Sequence, residues 1–294
     1  MSLLETTDAG GPDTINRTFG SHLIDRCANP QCSSGWLHIF RNRSVPIFEG
    51  GWTCSPECTE ACVLSAVRRE LNGRSSVRRT HQHRIPLGLL MLEKGWISQE
   101  QLRAALEAQN SHREARFGEW LIKQHVVDES MVTRALGLQW GCPVLLPDLH
   151  TRPTLAAIMP RLLIEVTGAL PLRVAANRIL YLGFEQSLDP VLALALERIT
   201  GLRVESGIVP SYAFRQTLQH TLELKFAHSQ LAQAASVSAA SHLMAKAVER
   251  AQPLEARLVR VHNFLWMRLI LSHSLTSPAE ISSVNDVICI LKNS

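Results

Sequence analysis

The sequence predicts an α+β protein of several parts. First comes a small four-cysteine module, then a helical subdomain of two repeated helix-turn-helix units with a small α/β sandwich behind it, and last a helix followed by strands. Three observations carry this reading. Four cysteines fall in two close pairs, Cys27-x4-Cys32 and Cys54-x3-Cys58, with 21 residues between the pairs. The stretch from Leu87 to Gln139 says nearly the same thing twice, 30 residues apart. Beyond it, helix-period and strand-period runs alternate to about Leu222.

At 294 residues the chain has room for two or three domains. With 46% hydrophobic and 19% charged residues it reads as an ordinary folded protein. A net charge of +4 permits an anionic ligand without demanding nucleic acid. Met1 to Gly11 carry neither a basic nor an apolar leader segment, and no window of 18 apolar residues lacks charge, so a cytoplasmic protein is expected. Seven cysteines, four of them at metal spacing, suit a reducing compartment better than a secreted disulfide scaffold.

Residues 1–20 are polar and read as a loose tail. Residues 21–73 form the cysteine module. Trp36 to Phe40 and Val45 to Phe48 are expected to be two strands of a hairpin turned by Arg41 to Ser44. Ser55 is a helix N-cap and Pro56 an N1 residue, which puts Cys58 in the first turn of a helix running to about Leu71. Cysteine pair, hairpin, and cysteine pair at a helix start is a treble-clef-like order. It makes Cys27, Cys32, Cys54 and Cys58 a closed tetrahedral thiolate site of the structural Zn2+ type. Cys62, one turn further on, is read as a buried thiol, and His38 as a strand residue. Arg41, Arg43, Arg68 and Arg69 are modest candidates for nucleic-acid contact, and a solvated face explains them equally well.

Residues 74–83 are a basic linker. Residues 84–140 hold the repeat. Copy one reads Leu87-Gly88, Met91, Gly95, Ile97-Ser98, Leu102, Ala105-Leu106, Gln109. Copy two reads Phe117-Gly118, Leu121, His125, Val127-Asp128, Val132, Ala135-Leu136, Gln139. Each is helix, tight turn, helix. Gly95 sits where a left-handed residue is wanted, and His125 holds that strained place in copy two. Ser98 with Gln101 makes a capping box, and Asp128 is the second N-cap. Residues 141–222 then predict short helices at Leu155–Met159 and Pro160–Glu165, and strands at Ala169–Val174 and Ile179–Phe184. A helix at Pro190–Thr200, a strand at Arg203–Val209 and a helix at Ser211–Leu222 capped by Ser211 complete that part. In residues 223–294, the alanine- and glutamine-rich run to residue 250 reads as one long helix. Strands follow at Ala256–Val261, Phe264–Leu271 and Asp286–Leu291.

The doubled motif resembles the N-terminal (MshEN) domain of the type II secretion and type IV pilus assembly ATPases, some members of which bind cyclic di-GMP. The resemblance runs on through Trp140-Gly141-Cys142-Pro143-Val144, Met159-Pro160, Leu170-Pro171-Leu172 and Thr200-Gly201-Leu202-Arg203-Val204, covering about residues 84–222. It implies ligand contacts at Leu87, Gly88, Gly95, Leu102, Leu106 and Gln109 in copy one. In copy two it implies Arg116, Phe117, Gly118, Leu121, Leu136 and Gln139. The chemistry is coherent. Glycine at a helix start lets phosphate reach unpaired N–H groups, arginine forks onto phosphate or stacks on guanine, and glutamine reads a base edge. Two departures stand out. Pro86 replaces the basic residue of copy one, with Arg84 nearby as a stand-in, and His125 replaces the turn glycine of copy two.

No Gly-x4-Gly-Lys-Ser/Thr loop occurs, nor a Gly-x-Ser-x-Gly or His-Glu-x-x-His motif, so no enzymatic activity is expected. The reading is a non-catalytic regulatory protein with a structural Zn2+ and cyclic di-GMP as ligand. Its first alternative is a protein–protein adaptor of a secretion or pilus system with a degenerate nucleotide site. The second is a zinc-finger regulator binding nucleic acid.

Overall fold

The computed structural model describes residues 27–33, 46–73, 84–111, 115–148, 153–175, 178–272 and 281–292. The predicted tail 1–20, strand Trp36–Phe40, turn Arg41–Ser44, His38 and linker 74–83 lie outside the described residues. The fold is α+β with two mixed sheets. Among the described residues no helix is long and apolar enough to cross a membrane.

Two short strands, β1 (Ile47–Phe48) and β2 (Gly51–Trp52), turn on Glu49 and Gly50, both at positive φ, and lead into helix α1 (Pro56–Asn72). Ser55 caps α1, its hydroxyl accepting the Cys58 N–H, as the Ser-Pro pair predicts. The pairing of Val45–Phe48 differs from expectation. β1 has β2 on one side and β7 (Glu255–Val261) on the other, a partner remote in sequence that local periodicity does not reveal.

The repeat folds as read. Copy one is α2 (Leu87–Glu93) and α3 (Gln99–Ser111), and copy two is α4 (Phe117–Lys123) and α5 (Glu129–Trp140). Both make the same turn. Trp96 N–H donates to Met91 O at 2.9 Å, and Val126 N–H to Leu121 O at 3.0 Å. Gly95 (φ 69°) and His125 (φ 53°) occupy matching left-handed positions. The Ser98–Gln101 capping box closes in both directions, and Asp128 Oδ1 accepts Met131 N–H at 2.8 Å.

Next come a 3-10 turn (Pro153–Ala157), α6 (Arg161–Thr167), β3 (Ala169–Ala175), β4 (Ile179–Phe184), α7 (Pro190–Thr200), β5 (Arg203–Ile208) and α8 (Ser211–Glu223). β4 is central, antiparallel to β3 and parallel to β5. Leu155–Ala157 tighten to 3-10 geometry, and Pro160 stands before α6 rather than inside it. Ser211 is the first residue of α8, not its cap; the Tyr212 N–H goes instead to Glu129 Oε1 at 2.9 Å.

The long helix expected from 223 to 250 does not form. α8 stops at Glu223, β6 runs His228–Ala234, and Ser236 then caps a separate helix, α9 (Val237–Ala251). A parallel ladder with β9 (Val284–Leu291) spans all of β6, and this partner overrides the helical preference of alanine and glutamine. With β8 (Phe264–Ile270), the large sheet runs β2-β1-β7-β8-β9-β6. Its faces alternate by residue. Leu265, Met267 and Leu269 face one core with α1 and α9, while Trp266 faces a second core shared with residues 145–226. So the sheet lies between the helix pair and the α/β unit, and residues 46–71 share one core with residues 234–291. Arg268 and Asp286, 4% and 1% exposed, bond across β8 and β9. Trp266 Nε1 also donates to Asp286, and Arg268 reaches Ile158 O at 2.9 Å.

Candidate functional site

Two sites follow from the sequence, and the first is the cysteine cluster. Cys54 follows β2 directly, Cys58 lies in the first turn of α1, and Cys27 and Cys32 come from the loop before. Ala28 N–H holds that loop to Trp52 O at 2.7 Å. The four sulfurs all lie within 4.8 Å of one another. Cys32–Cys54 is 3.5 Å and Cys54–Cys58 3.6 Å. A tetrahedron with Zn–S bonds of about 2.3 Å has edges of about 3.8 Å. None of the four is in a disulfide. Burial pushes the Cys27 thiol up, and the N–H groups of Asn29 and Cys54 pull it back. Asn29 Nδ2 donates to Cys58 Sγ at 3.3 Å. N–H donors aimed at sulfur suit thiolates, so the residues fit a metal. Cys62 stands apart, its thiol pushed up to about 11 by burial and then by Cys27, Cys58 and Glu49. Of the basic residues offered for nucleic acid, Arg69 is held by Glu49 and Glu70, Arg68 is exposed, and Arg41 and Arg43 lie outside the described residues.

The second site is the doubled helical unit. α2 packs on α5 and α3 on α4, so each copy closes on the other. This puts Leu87-Gly88 beside Phe117-Gly118, as a shared seat requires. The Cβ side of both glycines is closely packed. A Cβ on Gly88 would stand 2.6 Å from Leu102 Cδ1 and 2.8 Å from Phe117 Cζ. One on Gly118 would stand 2.7 Å from Val132 Cγ1. Both glycines are buried, and their lack of a side chain lets the neighbouring helices approach closely. Leu121 is fully buried in the same core. Leu87, Leu102, Phe117 and Leu136 are half-buried around it, Gly95 is in the exposed turn, and Gln109 is half-buried on α3. Gln139 Nε2 donates to Ile85 O at 2.8 Å. Arg84, the stand-in for the residue displaced by Pro86, lies 3.1 Å over the Trp140 ring. Leu106, 44% exposed, and Arg116, exposed before α4, are left facing solvent. Sequence reasoning did not foresee Trp140 as the arginine platform; its place right after Gln139 was the available signal. Nor did it foresee the apolar rim of Ile85, Leu89 and Leu138, each about half exposed on and beside α2 and α5.

No protein-family model matches this chain. Its stretch of likeness to known proteins is partial. The type IV pilus assembly ATPase PilB of Myxococcus xanthus is 27% identical over 137 residues, 45% of this chain and 23% of that protein. The bacteriophage adsorption protein B of Escherichia coli K12 is 34% identical over 125 residues, 42% of this chain and 16% of that protein. The chain thus spans under a quarter of the length of either relative. The solved structure of MshE with cdg is 25% identical with a TM-score of 0.37, covering 47% of this chain and 99% of that one. Just under half of the chain is therefore similar to part of a pilus assembly ATPase.

Proposed function

We propose that this chain is a non-catalytic, cytoplasmic regulatory adaptor of a secretion- or pilus-type assembly, with Zn2+ held by Cys27, Cys32, Cys54 and Cys58 as a structural ion. One observation carries the adaptor reading: several of the groups that would grip a dinucleotide are engaged within the fold. Gly88 and Gly118 are covered, Leu121 is enclosed, Gln139 serves Ile85 O, and Arg84 lies on Trp140. What remains outward is an apolar rim suited to protein. The missing phosphate-binding loop supports the non-catalytic part. The test is binding of the purified chain to the purified cytoplasmic portion of its host's pilus or secretion platform protein. Binding without nucleotide, weakened by Leu89→Asp, is the expected result. No binding at micromolar concentrations removes the reading.

A receptor for cyclic di-GMP is the second reading, favoured by Arg116. Its side chain makes no ion pair among the described residues, and it stands at the start of α4 beside the junction of the two copies. Calorimetric titration with cyclic di-GMP decides this. Heat release and thermal stabilisation that vanish in Arg116→Ala establish it, and their absence at high ligand concentration ends it.

A further inference from the structure

The segment from Pro46 to Asn72 has almost no core of its own. β1 and β2 are two residues each. Among the described residues around the cysteines, Trp52, Thr53, Cys54, Cys58 and Thr59 are buried, with Cys27 and Cys32 beside them. The apolar face of α1 (Val63, Ala66, Val67) is buried against Ala240, Met244 and Val248 of α9 and against the large sheet. Phe48 is registered with Ala256 of β7, and Glu49 N–H donates to Ala256 O at 2.8 Å. At the far end of α1, Glu70 takes two bonds from Arg198, at 2.7 and 3.0 Å, and one from Arg260 N–H at 3.2 Å. So this segment is an added piece of the sheet formed by residues 228–291, attached along one strand and one helix.

What sets its shape is the cysteine cluster. Two ligands bracket the joint between β2 and α1: Cys54 just beyond the strand and Cys58 in the helix's first turn. The other two arrive on a loop whose Ala28 lies so close to Gly51 that a Cβ there would meet Ala28 Cβ at 2.5 Å. One ion on four sulfurs therefore fixes the angle at which α1 leaves β2. That angle must be right for β1 to reach β7 while α1 lies on α9.

We infer that the metal is a clasp: its occupancy decides whether residues 46–72 complete the large sheet and cover α9, while the α/β unit of residues 153–222 folds either way. This rests on the Zn2+ assignment made above. The core of the α/β unit, Leu163, Leu170, Leu180, Leu182, Leu192 and Leu196, is shared with Val259, Trp266 and Ile288 of the large sheet and includes no residue of 46–72. Without the ion, four crowded thiols lose their common partner. The segment then leaves, and the apolar face of α9 and the inner edge of β7 become accessible.

The experiment uses the full chain. Metal analysis of the purified protein comes first, with one Zn2+ per chain expected. Amide hydrogen exchange read by mass spectrometry then compares the loaded chain, the chain stripped with a high-affinity zinc chelator, and the Cys54→Ser/Cys58→Ser variant. In both metal-free samples protection should fall at least about tenfold in residues 56–72 and 240–248 and stay unchanged in 169–208. Unchanged protection at 56–72 in the metal-free chain overturns the clasp, and so does an equal loss throughout the chain. A purified chain with no metal and full protection instead overturns the Zn2+ assignment, which keeps the two failures apart. Cys62→Ser should retain both the metal and the protection, and metal loss in that variant would also count against the ligand set.

Discussion

Replacing Gly88 by alanine separates the two roles a glycine at this helix start can have. The added methyl would meet Leu102 Cδ1 at 2.6 Å and Phe117 Cζ at 2.8 Å. Comfortable carbon contacts are about 3.5–4.0 Å, so the methyl is about 1 Å too close on two sides. The Phe117 ring is rigid, and Leu102 is packed against the core of the repeat. Overpacking of this kind costs about 1–3 kcal/mol. Alanine recovers at most about 1 kcal/mol of helix propensity, and less in a first turn. A net loss of about 1–2 kcal/mol remains, or about 4–16 °C in the melting temperature of a unit this size. Fluorescence of the chain's six tryptophans, three of them (Trp96, Trp120 and Trp140) in the repeat, follows the loss during urea unfolding. Gly118→Ala, with one short contact, should lose about 1 kcal/mol. A bare seat for phosphate would accept the methyl in the ligand-free chain and gain stability from it. An unchanged or raised midpoint for Gly88→Ala would therefore refute the packing account.

His125→Gly should stabilise the chain by about 0.5–1 kcal/mol, since His125 sits at φ 53° where glycine carries no Cβ penalty; a lowered melting temperature would contradict this. Asp286→Ala should destabilise by about 3–5 kcal/mol by leaving buried Arg268 without its counter-charge, whereas Asp286→Leu with Arg268→Met should recover only part of the loss, since Trp266 Nε1 and Ile158 O then lose their partners; chemical denaturation of both variants measures it. At Glu70 burial alone would raise the carboxyl, but hydrogen bonds and charge from Arg198, then Arg69, outweigh it and hold it below the ordinary value. A depressed folded value means stability that is present above about pH 4.5 and lost as pH falls through the folded value. Acid titrations of wild type and Glu70→Gln should therefore converge below pH 4.5, and a constant gap between them would discount the pairing.

The helical repeat was legible because its signals are local. Ser98 with Gln101, Asp128, Gly95 and Ser55 act within four residues of where they stand, and each does what its type and position suggest. The failures share the opposite property. β6 is written in helix-forming residues and is a strand only because β9 lies alongside, with His228 opposite Asn285. β1 lies where it does because of β7, far along the chain. The glycines show a different limit. A small residue at a helix start reads the same whether the space above it belongs to a guest or to a neighbouring side chain. Only the positions of Leu102, Phe117 and Val132 tell the cases apart. The cysteine pairs were legible because thiolate spacing leaves few other uses, and the four sulfurs do converge.

The pairing of Phe48 with Ala256 has a consequence for how this protein is made. At about 5–20 residues per second, the ribosome delivers the second partner roughly 10–40 s after the first. For that interval the nascent α1 shows Val63 and Val67 to solvent with nothing to bury them. The core of the intervening α/β unit likewise waits for Val259, Trp266 and Ile288. A chain cut before α9 therefore keeps α1 with an uncovered apolar face and should aggregate more readily than the full chain.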